Sequence, residues 1–322
     1  MRALLNRIIG PILKFLGLTA LAYKKITLFK NWLNYRKLKS KLNEEIIVSS
    51  KQNSKLKQIC IIDAYPTYIN HFIDYYYKLG IKDFNFIITD KKYSSDLSSI
   101  KHDEISLKIY YLKDSKINDS SLYNFFIYKH EKHWLHLCTI NQYLVYPQYK
   151  KRNIPELCDF VTNIENSSVF GTIIHLYKSQ TNIDEPNNPF DSYKYFDKFN
   201  LIQRFHKGLD KFTIRGGPLL RLFHYDNPTE SPVLNRLPIV KADKSIQFLE
   251  SYTYTNSNQY NSPIQKDTRV LSVAVMELVT DPALYEKAVK DGKAFLNPFW
   301  SLSFKSDSQL ENLKFIQRGE WF

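Results

Sequence analysis

The chain has 322 residues, 43% of them hydrophobic and 24% charged, which is enough apolar material for one large core or two modest ones and excludes a disordered polymer. Its net charge of +13 is lopsided: residues 1–57 carry thirteen Lys and Arg against Glu44 and Glu45, leaving about +2 for the rest, so the charge belongs to an apolar terminal segment and not to a nucleic-acid-binding surface. Cys60, Cys138 and Cys158 are too few and too far apart for a disulfide framework or a Cys-x-x-Cys zinc site, and read as core thiols in a reducing compartment.

Residues 1–42 open the chain as a basic amphipathic segment. Leu4, Leu5, Ile8, Ile9, Ile12 and Leu16 gather on one half of a helical wheel, with Arg7 and Lys14 on the other. That pattern suits a helix lying on an anionic membrane surface, peripheral to the cytoplasmic face, and the uncharged run 15–23 is shorter than the roughly 20 residues a spanning helix needs. Trp32 and Tyr35, among later lysines, suit the headgroup layer. Two other readings stay open: a helix packed on its own domain, bent at Gly10-Pro11, and a cleaved signal ending in Ala20-Leu21-Ala22. Residues 43–57, polar and poor in large apolar groups after Val48, read as a linker.

Residues 58–322 then form a single domain. The run 58–63 (Q-I-C-I-I-D) reads as a buried strand, and Pro66 fits the first turn of a helix in which Ile69, Phe72, Ile73, Tyr76 and Leu79 recur at helical spacing until Gly80. Strands follow at 83–90 and 106–112, a helix capped by Asn118, Asp119 and Ser120 at 118–131, and a fourth strand at 134–140. This β-α-β-β-α-β order predicts an α/β fold with a mostly parallel, doubly wound sheet, whose ligands sit beyond the carboxyl ends of the strands. Asp63, Asp90 and residues 139–142 would then surround one crevice. Neither a Gly-x-Gly-x-x-Gly nor a Walker loop is present, so a phosphate-bearing ligand needs cationic side chains or a metal. Downstream, 169–178 reads as a strand, 215–224 as a glycine turn entering a strand, and 269–279 as a further apolar strand. A helix starts at Asp281-Pro282 and stops at Gly292.

Three stretches carry a resemblance. D-A-Y-P-T-Y-I-N-H-F-I-D-Y-Y-Y-K-L-G-I-K-D-F-N-F-I-I-T-D (63–90), W-L-H-L-C-T-I-N-Q-Y-L-V-Y-P (134–147), and D-S-Y-K-Y-F-D followed by I-R-G-G-P-L-L-R-L-F and S-P-V-L-N-R-L-P-I-V-K occur in order between residues 58 and 259. Together they resemble family 2-like bacterial glycosyltransferases. The resemblance implies a GT-A-like fold that holds a nucleotide-sugar donor at the strand ends and transfers its sugar to a glycan or lipid-linked acceptor in cell-surface polysaccharide assembly. A divalent Mn or Mg held by an Asp-x-Asp-Glu motif would neutralise the leaving diphosphate, and a carboxylate base would deprotonate the acceptor.

At that motif this chain departs, reading Thr139-Ile140-Asn141-Gln142. Neutral oxygens make a weak site for a hard divalent cation, so a metal at Thr139 and Asn141 is disfavoured. Either Arg215, Arg221, Arg236 and Lys241 take over the diphosphate, or the domain is a non-catalytic homologue that binds or scaffolds at the membrane. The resemblance assigns nucleotide-sugar contacts to Asp63, Asp90, Asn141, Gln142, Arg215, Gly216, Gly217, Arg221 and Lys241. Asp90 equally suits a turn, and Gly216-Gly217 a bend. The family's late-strand His has no counterpart in E-S-Y-T-Y-T at 250–255. His130, His133 and His136 straddle a helix end and a strand, which argues against a common metal focus. Tyr193, Tyr195 and Phe196 could stack on a sugar, although packing suits a Tyr-rich chain better.

Overall fold

The computed structural model describes residues 19–48, 54–93, 97, 100, 104–113, 117–178, 188–198, 202–206, 211–261 and 272–316. Four apolar strands, β2 (Leu56–Ile62), β3 (Asp83–Ile88), β4 (Ser106–Leu112) and β5 (Trp134–Thr139), pair in parallel in the order β4-β3-β2-β5. Their near-continuous burial is what strands covered on both faces require. Beyond β5 the sheet becomes mixed. β11 (Asn235–Lys241) runs antiparallel between β5 and β7 (Ser168–Leu176); β14 (Ser272–Leu278) lies parallel to β7; and β6 (Gln142–Val145) closes that edge antiparallel to β14. The mostly parallel expectation therefore holds for the block from β4 to β5, and the downstream half is mixed.

Helices cover both faces. α2 (Ile69–Lys78) sets Phe72 against Phe86 of β3, whereas α3 (Asp119–Lys129) sets Phe126 against Tyr110, whose hydroxyl meets Asn85. Phe86 and Asn85 are neighbours on one strand and so point to opposite faces, which places α2 and α3 on opposite sides. The Asn118 side chain caps α3, accepting from Ser121 N at 3.0 Å. α4 (Ile154–Asn163) joins the α2 side through a capping box of Asn153 and Glu156, and Ile154 N donates to Leu79 O. Cys60, Cys138 and Cys158 are free and buried, as their apolar settings predict.

The N-terminal readings need correction where the structure describes them. α1 (Thr19–Lys39) packs on α3: the Asn31 amide donates to Lys244 O and Ile246 O at 2.7 and 2.8 Å, Leu38 is buried, and the Tyr35 ring stacks on Phe125. Tyr35 thus belongs to the domain and not to a headgroup layer. The apolar cluster from Leu4 to Leu16 lies outside the described residues. Part of the expected linker is strand β1 (Leu42–Val48), antiparallel to β4, because Leu42, Ile46 and Val48 give it enough strand-forming groups to cover an open edge. Among the described residues no helix is long and apolar enough to cross a membrane.

The segment after Arg215 is also different. It forms a short helix, α5 (Gly217–Phe223), not a strand. Gly217 at φ 71° reverses the chain and Pro218 supplies the fixed φ of a first helical turn, so Leu220 and Leu222 reach the core from a helix. The last expected helix is present as α7 (Pro282–Lys290), capped by Asp281 and left behind at Gly292, φ 68°.

Candidate functional site

A crevice of about 780 Å³ opens where β2, β5, β7 and β14 end. Asp63 follows β2, Thr139 ends β5, Asn141 sits in the tight turn to β6, His175 comes from β7 and Glu277 from β14; Thr280 and Asp281 continue the wall into α7, and Tyr65 and Tyr93 stand at the rim. This is the strand-end position where open α/β sheets hold ligands. Among the described residues, none that lines the crevice is Lys or Arg.

The floor is a row of three side chains across three strands. Backbone pairing sets Glu277 opposite Gln142 on one side and beside His175 on the other. Gln142 Nε2 donates to Glu277 Oε2 at 2.6 Å, and Gln142 Oε1 accepts from Thr139 N at 2.9 Å and from the Tyr252 hydroxyl. Glu277 Oε1 lies 3.7 Å from His175 Nε2. Asn141 Nδ2 donates to Thr280 Oγ1 at 2.8 Å, tying the turn to the end of β14. Burial pushes the His175 imidazole below its usual range, against the pull of Glu277, so the ring is neutral at pH 7. Among the described residues its Nδ1 has no hydrogen-bond partner.

Asp63 is exposed at the rim, yet protein crowds its carboxylate. That crowding, with Asp119 and Glu277 nearby, pushes it up to about 6. Among the described residues no group of three or more His, Cys, Asp or Glu side chains could hold a metal ion. His136 packs against the Tyr76 ring, whereas His130 lies against Phe126 and the His133 ring.

The structure thus brings Asp63, Thr139 and Asn141 into one crevice and puts Gln142 directly beneath it. The other positions fall outside the lining. Asp90 is a turn residue: it accepts from Lys92 N at 3.1 Å and pairs with the Lys92 ammonium at 3.3 Å, near the rim through Tyr93. Arg215 ends β10 (Lys211–Arg215) and Gly216 precedes α5 in extended backbone. Gly217 serves the site by being small, because a Cβ there would sit 2.9 Å from His175 Nδ1.

Arg221 is committed elsewhere. It makes a two-pronged ion pair with Asp197 at 2.8 and 3.1 Å, both side chains being nearly closed to solvent, and donates to Ala294 O and Phe295 O. Lys241 pairs in register with Trp134 at the amino end of β5, across the sheet from the crevice. Arg236 donates to Val233 O and Asn235 O and lies over the Tyr252 ring. Tyr193 and Phe196 are buried packing residues.

Sequence reasoning missed His175 and Glu277, which belong to no motif. Their one signal is polarity out of place: a His in V-F-G-T-I-I-H-L and a Glu in S-V-A-V-M-E-L, both otherwise apolar strands. No protein-family model, curated protein or solved structure matches this chain.

Proposed function

We propose that the protein is a glycosyltransferase homologue that binds a saccharide in the strand-end crevice and has given up metal-assisted transfer. The observation that carries this reading is the lining itself. Asp63, Glu277, Asp281, Asn141, Thr139 and Thr280 offer acceptors and small donors that suit hydroxyl groups, and the exposed Tyr65 offers a ring for a sugar to pack on. A nucleoside diphosphate would bring two or more negative charges against three carboxylates, with neither a cation nor a metal set among the described lining residues to offset them.

A second reading has its own support. Glu277, oriented by Gln142 and flanked by His175, is a carboxylate suited to take the proton of an acceptor hydroxyl. In that reading the protein transfers a sugar from a nucleotide-sugar donor to a glycan or lipid-linked acceptor without a metal.

A thermal-shift series separates the two. Neutral mono- and oligosaccharides raise Tm, while uridine and other nucleoside diphosphates, with or without Mn²⁺, leave it unchanged. Stabilisation by a nucleoside diphosphate alone would establish the transferase reading, and stabilisation by neither class would sink both.

A further inference from the structure

α1 has two unlike sides. The inner side is fixed to the domain by Asn31, Tyr35 and Leu38, with Asn34 Nδ2 donating to Ser121 O at 3.2 Å. On the outer side Phe29 is 59% exposed and Leu33 47%. Trp32 stacks on Phe29 with ring centroids 5.7 Å apart, and the Arg36 guanidinium lies 5.0 Å from the Trp32 ring. Residues 25, 29, 32, 33 and 36 recur at helical spacing, so these groups form one continuous stripe.

The charge around that stripe has one sign. Thr19–Lys39 contains Lys24, Lys25, Lys30, Arg36, Lys37 and Lys39 and no Asp or Glu. Lys24, Lys25, Lys30, Arg36 and Lys37 are exposed. An aromatic and aliphatic ridge bordered by cations matches the boundary between acyl chains and anionic headgroups, where the ridge enters the apolar layer and the cations meet phosphate. A second copy of the same face would oppose like charge with like charge.

We propose that the outer face of α1 docks on an anionic lipid surface, with Phe29, Trp32 and Leu33 at the headgroup boundary and Lys25, Lys30, Arg36 and Lys37 against lipid phosphates. This assignment is independent of what the crevice binds. α1 packs on the α3 side of the sheet and leads into β1, whose Leu42 pairs with Leu112 at the carboxyl end of β4.

The test is vesicle co-sedimentation of the full chain with phosphatidylcholine alone and with phosphatidylcholine containing phosphatidylserine, at low and high salt. Wild type binds the anionic vesicles and releases from them in high salt. Phe29→Ser with Leu33→Ser weakens that binding at least about tenfold, and Lys25→Glu with Lys30→Glu and Lys37→Glu abolishes the preference for phosphatidylserine. All five positions are exposed, so circular dichroism and Tm stay at the wild-type values. A charge reversal at Lys290 on α7, also exposed, changes nothing. Equal vesicle binding by wild type and both multiple variants would overturn the proposal. So would a concentration-dependent dimer, or single-stranded oligonucleotide binding, lost in the same variants while vesicles are ignored.

Discussion

Gln142 and Glu277 are matched to each other. A Glu at position 142, as the resembled motif has it, would put a second carboxylate where Nε2 now donates at 2.6 Å. Gln142→Glu therefore lowers stability at pH 7 by about 1–3 kcal/mol, the cost of a buried carboxylate facing another, and recovers part of it below pH 5 as one of the two takes a proton. Urea unfolding at pH 5 and 7 reads both effects. Gly217 is under similar constraint, since its φ of 71° and the 2.9 Å approach to His175 Nδ1 leave no room for a methyl group. Gly217→Ala displaces the His175 ring and lowers saccharide affinity together with Tm.

Two groups of residues give the stability curve opposite slopes. His175 is held below its usual range, and His130 is pushed down to about 2, both by burial. Each is neutral when folded but takes up a proton when unfolded near pH 6.5, so their contribution is complete above about 6.5 and is lost as pH falls below it, at up to about 1.4 kcal/mol per pH unit per group. Asp63 acts in the other direction. Folded it keeps its proton to about 6 against an ordinary 3.8, so its contribution declines as pH rises from about 4 to 6. The rim is open to water, which screens this effect, and Asp63→Asn removes it. Denaturant midpoints of wild type and Asp63→Asn across pH 4 to 8 separate the two slopes; an Asp63→Asn midpoint independent of pH below 6.5 would contradict the burial of the histidines.

At the level of elements, the tight turn from β5 to β6 is the part of the site best anticipated from the chain. Its apolar approach, W-L-H-L-C-T, and its polar tip identify the strand end and the crevice together. The segment R-G-G-P-L-L-R-L-F was misread for a physical reason: alternation of Leu220 and Leu222 fits a strand, but a positive-φ glycine followed by proline starts a helix instead. Arg221, attractive as a phosphate ligand, is used to join α5 to β8 (Tyr195–Asp197) and to residues 294–295. Arg221→Ala leaves Asp197 buried without its partner and costs about 3–5 kcal/mol of stability by urea unfolding. Glu277→Gln, by contrast, keeps the fold and lowers saccharide affinity.

Across the whole molecule, the first half of the sheet was legible because buried parallel strands and capped helices leave periodic, local signals. The strand starts at Asp83, Ser106 and Trp134 coincide with expectation. The antiparallel return of β11 between β5 and β7, and the pairing of β14 with both β7 and β6, were not legible, since long-range strand order leaves no local trace. For the same reason His175, Glu277 and Gln142, distant in sequence, could not be grouped before their strands were set side by side. Charge was legible in amount but not in placement: α1 keeps its cations outward while its Asn31, Tyr35 and Leu38 serve the core.

The central claim is that this crevice recognises a saccharide through acceptors and an aromatic ring without a nucleoside diphosphate. Crystals soaked separately with a neutral oligosaccharide and with uridine diphosphate plus Mn²⁺ test it most directly. The account predicts sugar hydroxyls within hydrogen-bond distance of Glu277 and Asn141 in the first soak and nothing bound between β2 and β14 in the second. A diphosphate and metal seated against Asp63 and Asn141 would contradict it.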